Sequence, residues 1–378
     1  MVGILAALLL CDILPFVAIA MLFPQLAKFA PTQSNYRGKQ VLSGLGIVWF
    51  VWLAFIWVGS VFIDFLGFEQ PVWMQIVDMA FPLLAGTCAF GLFDDWVGDN
   101  RSKGFKGHFR ELSRGHLTTG MLKFIGIGLF SLATGFMLYD PMEPMGLARI
   151  IFATLVIALS ANFFNLLDLR PLRASKAYIF SMAFCIIALL ASGIVESEWH
   201  QVLCTILAVL GPVLATWKLD ADEVAMLGDA GANTMGALVG FIFSITLPIW
   251  LLVVLTVVLL VANFASEKVS YTKIIESVPF LHAIDRAFRP KEFFAEDGTP
   301  IREDILPTAD GSGSVVEMPL APVDADGGSD VLGGGGNPGG SFGSNVAGSS
   351  GAGSATVVPR AGADGIAPAS GTDDGTTV

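Results

Sequence analysis

The sequence predicts an all-α, polytopic membrane protein with about nine transmembrane helices, polar cytoplasmic loops and a disordered C-terminal tail. Three observations support this fold class: few charged residues, apolar runs of about 20 residues, and positive charge that recurs after every second run. A run of this length crosses the roughly 30 Å of hydrocarbon in a bilayer.

The composition argues against a soluble globular enzyme. The 378 residues are 54% hydrophobic and 14% charged, and the mean hydropathy is +0.68. A soluble domain carries about 25% charged residues. The formal net charge is −12 and no basic stripe stands out, so we expect no nucleic-acid binding.

The apolar runs define nine predicted spans. They cover residues 2–24, 42–64, 72–93, 121–139, 147–167, 175–195, 199–217, 231–247 and 249–265. The first run has no basic leader and no small-residue cleavage site, so we expect a retained span and not a cleaved signal.

Positive charge orients these spans. Lys and Arg follow spans 1, 3, 5, 7 and 9, whereas the opposite side carries essentially only Arg149. The positive-inside rule therefore predicts a multi-pass plasma-membrane protein with its N-terminus outside and the odd-numbered loops in the cytoplasm.

The chain divides into a membrane domain, residues 1–296, and a tail, residues 297–378. The tail is rich in Gly, Ser and Asp, with eleven acidic and two basic residues. Such a segment buries too little apolar surface to offset its ordering entropy, so we predict a disordered cytoplasmic tail.

The polar side chains that could take part in a reaction also lie on the predicted cytoplasmic side. Asp94 and Asp95 are adjacent acids in the segment FDDWVGD, where span 3 ends. Neighbouring carboxylates favour a bound cation or a raised pKa. Mg²⁺ takes oxygen ligands and substrate phosphates. A solvated helix end is the alternative interpretation.

Two further polar segments lie on the same predicted cytoplasmic side. Asn162, Asn165 and Asp168 lie at the end of span 5 at spacings of three, so they share one helix face. Asp229 lies in the small-residue segment MLGDAGANTMG before span 8, where free N–H groups favour an anion. The alternative interpretation of the first segment is a set of polar groups that only reach the membrane interface. The alternative for the second segment is an ordinary glycine-rich turn.

Two other loops supply basic residues. Arg37 and Lys39 follow span 1 and can hold phosphates. His282 follows span 9, although a lone histidine is more often structural than catalytic. Because a transporter places its ion-binding carboxylates near the midplane, acids at the helix ends favour a metal-assisted reaction between a cytosolic phosphate compound and a membrane-held phosphate.

The motifs in residues 1–292 resemble those of the polyprenyl-phosphate N-acetylhexosamine-1-phosphate transferases. The resemblance rests on FDDWVGD, NFFNLLD and MLGDAGANTMG after spans 3, 5 and 7, with RGK…SGLG after span 1 and VPFLH after span 9. The family transfers a sugar-1-phosphate from a UDP-aminosugar to a polyprenyl phosphate with Mg²⁺, and releases UMP.

The resemblance also implies roles for individual residues. Asp94 would orient or deprotonate the lipid phosphate, Asp95 would hold the metal–phosphate network, and Asp229 would ligate Mg²⁺. Asp168 would join Asp94 and Asp95 as a catalytic residue and, with Asn165, would line the nucleotide side. The other expected substrate-binding residues are Lys39, Arg37, Arg170, Arg173 and His282.

The fifth loop departs from the family pattern N-x-x-D-G-x-D-G. Asp168 is followed by Leu169, Pro171 replaces the second acid, and Arg170 and Arg173 add positive charge. We therefore expect an altered nucleotide pocket. The histidine cluster of the peptidoglycan translocase is reduced to His282, which argues against that activity.

The leading hypothesis is a transferase for cell-envelope glycans. Its expected partners are the UDP-sugar, the polyprenyl phosphate and the membrane, and a homodimer is left open. A non-catalytic lipid-carrier or nucleotide-binding paralogue is the first alternative, and a transporter is the second.

Overall fold

A computed structural model describes residues 2–98 and 104–288, which belong to the first of two compact units, Met1–Val316. The predicted tail, residues 297–378, and the domain boundary at 296 lie outside the described residues. The elements in chain order are α1 Val2–Ala7, a π-helix Leu8–Ile13, α2 Leu14–Phe29, β1 Thr32–Ser34, β2 Gln40–Leu42, a 3-10 turn Leu45–Ile47, α3 Val48–Phe65, α4 Val72–Val97, α5 Gly104–Ser113, α6 Thr119–Leu138, α7 Gly146–Leu167, α8 Arg173–Ala191, α9 Trp199–Ala221, α10 Gly228–Thr246, α11 Ile249–Ala265, α12 Tyr271–Ser277 and α13 Pro279–Arg286.

The all-α, polytopic prediction is confirmed. Every predicted span coincides with a helix, and the first span is the continuous run from α1 through the π-helix to α2. Within the described residues, seven helices are long and apolar enough to cross a membrane. The eighth and ninth predicted spans are α10, whose first turns are polar, and α11, an apolar helix of 17 residues.

Several helices extend beyond the predicted apolar runs, and three of them carry candidate site residues in the extension. α4 continues to Val97, α8 begins at Arg173 and α10 begins at Gly228. Asp94 and Asp95 therefore lie in the last turn of α4, and Asp229 lies in the first turn of α10. Hydropathy marks where a helix leaves apolar surroundings, whereas its backbone hydrogen bonds continue through polar residues.

α10 lies at the centre of the helical bundle. Most of its residues are buried, and it packs against α7, α4 and α8. A Cβ added at Gly236 would lie 2.6 Å from the Cα atom of Ala161, and one at Gly240 would lie 2.7 Å from the Cα atom of Ile157. Small residues thus let the α10 and α7 backbones approach closely, as in many membrane helix pairs.

A short hairpin connects the first loop to the start of α10. β1 and β2 pair antiparallel, with Gln33 opposite Val41. The end of β2 also pairs with the segment before α10, because Leu42 donates to the carbonyl of Val224 at 3.3 Å and accepts from Met226 at 2.7 Å. Backbone hydrogen bonds therefore hold the first and seventh predicted loops side by side.

Candidate active site

Two carboxylates converge on one ammonium group where α4, α6 and α10 meet. The Nζ atom of Lys123, on α6, lies 2.7 Å from Oδ2 of Asp94 and also contacts Oδ2 of Asp229. The three side chains are between 12% and 23% exposed. The three charges are therefore largely removed from solvent, and the single ammonium is the shared partner of the two carboxylates.

Asp95 caps the N-terminus of α10. Its carboxylate is almost fully buried and accepts hydrogen bonds from the N–H groups of Asp229 at 2.9 Å and Ala230 at 3.0 Å. Gly228 allows this contact, since its φ is +70° and a Cβ there would lie 2.6 Å from Oδ2 of Asp95. A carboxylate also suits the positive end of the helix dipole.

Asp168 completes this arrangement from the end of α7. Its Oδ2 atom accepts the N–H group of Gly228 at 3.1 Å. Burial raises the pKa of Asp168 well above its usual value, and the negative charges of Asp220, Asp229 and Asp95 add to the effect. Four acidic side chains from three helix ends, those of α4, α7 and α10, are thus gathered at the first turn of α10.

The donor set of Asp94 and Asp229 fits a magnesium ion. Their oxygens are hard ligands that already converge on a cation, the ammonium of Lys123, and Mg²⁺ in proteins takes one or two carboxylates besides water and phosphate. No group of three or more His, Cys, Asp or Glu residues that could hold a metal occurs in residues 2–98 and 104–288.

The role expected for Asp95 in the metal–phosphate network stays a prediction. Both of its carboxylate oxygens already accept backbone N–H groups of α10. These two hydrogen bonds hold the N-terminus of α10, the helix that carries Asp229.

A cleft of about 470 Å³ opens beside this cluster. The hairpin, the α7–α8 loop, the segment before α10 and α12 form its walls, and Asp168 belongs to both the cleft and the carboxylate cluster. Its polar lining residues include Gln33, Asn35, Tyr36, Asp168, Arg170, Asp220, Glu223 and Thr272.

The side chain of Arg170 lies at the cleft. Its guanidinium carbon is 4.1 Å from the centroid of the Tyr36 ring, and its Nη2 atom lies 3.3 Å from Oε1 of Glu276. The arginine side chain is 21% exposed and that of Glu276 is 47% exposed. Arg170 is therefore placed where a ligand in the cleft can reach it.

Arg173 is instead a buried anchor for α12 and α13. It donates to the two carboxylate oxygens of Asp285 at 2.8 and 3.0 Å, and to the hydroxyl of Thr272 at 3.0 Å. Lys176 reinforces this contact by donating to the carbonyl of Asp285 at 2.9 Å. Because its guanidinium is buried and paired, these contacts indicate a structural role, and substrate binding by Arg173 stays a prediction.

The remaining predicted residues occupy different places. Arg37 pairs with Glu223 at 3.4 Å, and Lys39 closes the hairpin turn through its backbone. Asn165 lies one turn before the end of α7, and His282 lies on α13. Arg37, Lys39, Asn165 and His282 are not among the described residues that line the cleft.

Asn162 connects helices and does not approach the cluster. Its side-chain amide donates to the side-chain oxygen of Asn263 at 2.6 Å, which joins α7 to α11. Of the residues predicted to share this helix face, Asn162 therefore contacts α11, whereas Asp168 contacts the start of α10.

Sequence reasoning missed three residues. The motifs do not single out Lys123, although a lysine inside an apolar helix needs a partner. Asp220 accepts the N–H group of Leu172 at 2.9 Å, and this holds Leu172 at a φ of +59°. Glu223, buried at a φ of +52°, pairs with Arg37. Strained backbone of this kind is concentrated at functional sites, but no local pattern reveals it.

Comparison of the sequence with protein-family models finds no match, and comparison with curated proteins finds none either. The chemistry of the cluster and the cleft therefore carries the functional argument.

Proposed function

We propose that this protein transfers an N-acetylhexosamine-1-phosphate from a UDP-sugar to a polyprenyl phosphate, for cell-envelope glycan synthesis. The observation that carries the proposal is the convergence of Asp94, Lys123 and Asp229 at helix ends beside a polar cleft. We place this end of the bundle in the cytoplasm of a plasma-membrane protein whose N-terminus is outside, because Lys and Arg concentrate there.

The reaction joins two phosphates. It forms a bond between an oxygen of the polyprenyl phosphate and the sugar-linked phosphorus of the donor. It breaks the bond from that phosphorus to the oxygen that leaves with UMP. Like charges oppose this approach, and at a low-dielectric interface the repulsion is large.

The cluster supplies what the reaction needs. Asp94 and Asp229 would hold Mg²⁺, which screens phosphate charge when it is bound. Lys123, whose ammonium contacts both carboxylates in the ligand-free protein, would leave that position to a bound Mg²⁺ and contact a phosphate oxygen instead. Asp95 and Asp168 orient the first turn of α10 through its N–H groups, and so keep Asp229 in place.

A non-catalytic nucleotide-binding protein is the second candidate. One observation favours it: the ammonium of Lys123 contacts both Asp94 and Asp229, so a positive charge of the chain itself lies where a metal ion would bind. A transporter is the third choice, and acids at the helix ends argue against it.

The deciding experiment measures UMP release by the purified full-length chain in detergent. Each of several UDP-sugars is supplied with a polyprenyl phosphate, with Mg²⁺ or with EDTA. We expect UMP and a lipid-linked product with at least one donor, and neither in EDTA. Nucleotide binding without Mg²⁺-dependent UMP release from any donor would exclude the transferase and favour the second candidate.

A further inference from the structure

α12 and α13 present an apolar face that the described part of the chain leaves exposed. Phe280 is 73% exposed, and Leu281 and Ile284, on the same side of α13, are 40% and 44% exposed. Ile274 and Val278 extend this face onto α12. Single exposed apolar residues are ordinary, whereas a group of them marks a surface that contacts a membrane or another protein.

The two helices are held at the ends of predicted membrane spans. Arg173, in the first turn of α8, pairs with the buried Asp285 of α13, and Lys176 donates to the carbonyl of Asp285 at 2.9 Å. On the other side, the hydroxyl of Tyr271 on α12 donates to the carbonyl of Ala262 near the end of α11. α12 and α13 are therefore held beside the points where α8 and α11 leave the apolar layer.

The length of α11 brings the segment that follows it close to lipid. The helix has 17 residues, or about 25 Å, whereas the hydrocarbon layer is about 30 Å thick. A short span thins the bilayer around it and draws its flanking residues toward the apolar boundary. The exposed apolar surface also continues past the helix, from Val261 and Phe264 on α11 to Val269 and Ile274 beyond it. We therefore expect the apolar face at the boundary of the hydrocarbon layer.

Positive charge accompanies this apolar face. Lys268, Lys273 and Arg286 are exposed, and none of the ion pairs within the described part of the chain involves them. Of the two exposed acids between residues 266 and 288, Glu267 and Glu276, the second is paired with an arginine of the α7–α8 loop. Basic residues beside an apolar face are typical of helices that lie on an anionic leaflet.

We propose that α12 and α13 lie in the membrane interface and bind the headgroups of anionic phospholipids, with the apolar face among the acyl chains and Lys273 and Arg286 at the phosphates. The leaflet is the occupant because the face continues the exposed side of α11 and carries an excess of positive charge. Thr272 of α12 accepts a hydrogen bond from Arg173 and lines the cleft. Bound lipid would thus stabilise one wall of the cleft. The proposal goes beyond the transferase function and does not depend on it.

The first test measures where the apolar face lies. A nitroxide label is attached at Phe280→Cys in the full-length chain, since all four native cysteines are buried. The protein is placed in nanodiscs of phosphatidylcholine with about one third phosphatidylglycerol, an anionic lipid. Oxygen concentrates in the hydrocarbon, whereas a nickel chelate stays in water. We expect oxygen to relax this label more than nickel does, and the reverse at Asp222→Cys, an exposed position after α9.

Each other result would overturn the proposal. Nickel access at position 280 equal to that at position 222 would place the face in water. Shielding from both oxygen and nickel would mean that protein covers the face, either a second copy or another chain. Where Phe280→Cys lowers the yield of folded protein, Ile284→Cys carries the label in its place.

The second test asks whether the charge of the lipid matters. Hydrogen exchange of the backbone amides of residues 271–288 is measured in nanodiscs with and without phosphatidylglycerol. We expect exchange to be about fivefold or more slower in the anionic lipid, because each basic residue near an anionic surface strengthens binding by about that factor. Salt at about 1 M, which screens charges beyond about 3 Å, should remove most of the difference.

Charge variants complete the second test. The triple variant K268Q/K273Q/R286Q should exchange at rates within about twofold of each other in the two lipids. Arg110→Gln, which removes an exposed cation on α5, is the control and should keep the wild-type response. Equal exchange of the wild-type protein in the two lipids, or a response that survives the triple variant, would overturn the proposed binding of anionic headgroups.

Discussion

Arg170, in the α7–α8 loop, and Arg173, the first residue of α8, lie three residues apart, yet they belong to different regions of the molecule. Arg170 faces the cleft, is partly exposed, and makes one long ion pair with an exposed acid. Arg173 lies under α12 and α13, where Asp285 and Thr272 take up three of its hydrogen bonds. A ligand in the cleft can thus contact the guanidinium of Arg170, whereas the guanidinium of Arg173 is already paired.

The two arginines show that a positive charge at this point of the chain can either be available to a ligand or be buried in a structural ion pair. Removing one partner of a buried ion pair leaves the other uncompensated, which costs about 3–5 kcal/mol. An exposed pair contributes about 0–1 kcal/mol. The two regions therefore respond differently to the same substitution.

Arg173→Met should have the largest effect. It leaves the carboxylate of Asp285 buried without its guanidinium, so we expect a loss of about 3–5 kcal/mol in the free energy of unfolding. The measurement is unfolding by SDS titration in mixed micelles. The double variant R173M/D285L should regain much of this loss, because no buried charge remains. Wild-type stability in Arg173→Met would show that the anchor is not essential.

Asp229→Asn comes next and tests the carboxylate cluster. The substitution keeps the size of the side chain and removes a charge that faces Lys123 and the proposed metal. We expect UMP release to fall by about 100-fold or more, equivalent to about 3 kcal/mol of activation free energy, with folding retained. Asp222→Asn is the matched control. Activity within about threefold of wild type would remove Asp229 from the proposed metal site.

Gly228→Ala should have an intermediate effect on stability. It combines a positive φ with a Cβ that would lie 2.6 Å from the Asp95 carboxylate. Gly67→Ala is a matched control, because φ there is +75° and no atom lies within 4 Å of the added Cβ. Backbone strain alone costs about 1–2 kcal/mol. Gly228→Ala should exceed its control and should also slow UMP release, and equal effects would show that the Asp95 contact can relax.

Arg170→Met should have the smallest effect on folding. We expect the free energy of unfolding to change by about 1 kcal/mol or less, because the pair with Glu276 is exposed. The same SDS titration measures it beside Arg173→Met. A loss as large as that of Arg173→Met would mean that both arginines are structural.

The fold was largely predictable from the sequence. Helices that cross a membrane must satisfy their own backbone and present apolar side chains to lipid, so hydropathy located all nine helices of the predicted spans. The ends of α4 and α10 were misplaced by a few residues, because Asp94, Asp95 and Asp229 continue their helices through a polar region.

Only the acidic residues of the candidate site were predictable from the sequence. Asp94, Asp95, Asp168 and Asp229 are brought together around the start of α10, as their positions at helix ends suggested. Their partners were not predictable. Lys123 is 106 residues from Asp229 along the chain, and Arg173 is 112 residues from Asp285. Such pairings depend on the packing of helices, which local sequence patterns do not encode.

Lys123 has a consequence for how the protein is made. A newly synthesised chain must insert the acids at the ends of α4 and α10 before any ligand is present. Because Lys123 contacts both Asp94 and Asp229, the chain contains its own counter-ion for this stage. The two carboxylates thus have a cationic partner within the chain during assembly, whereas small metal domains fold only around their ion.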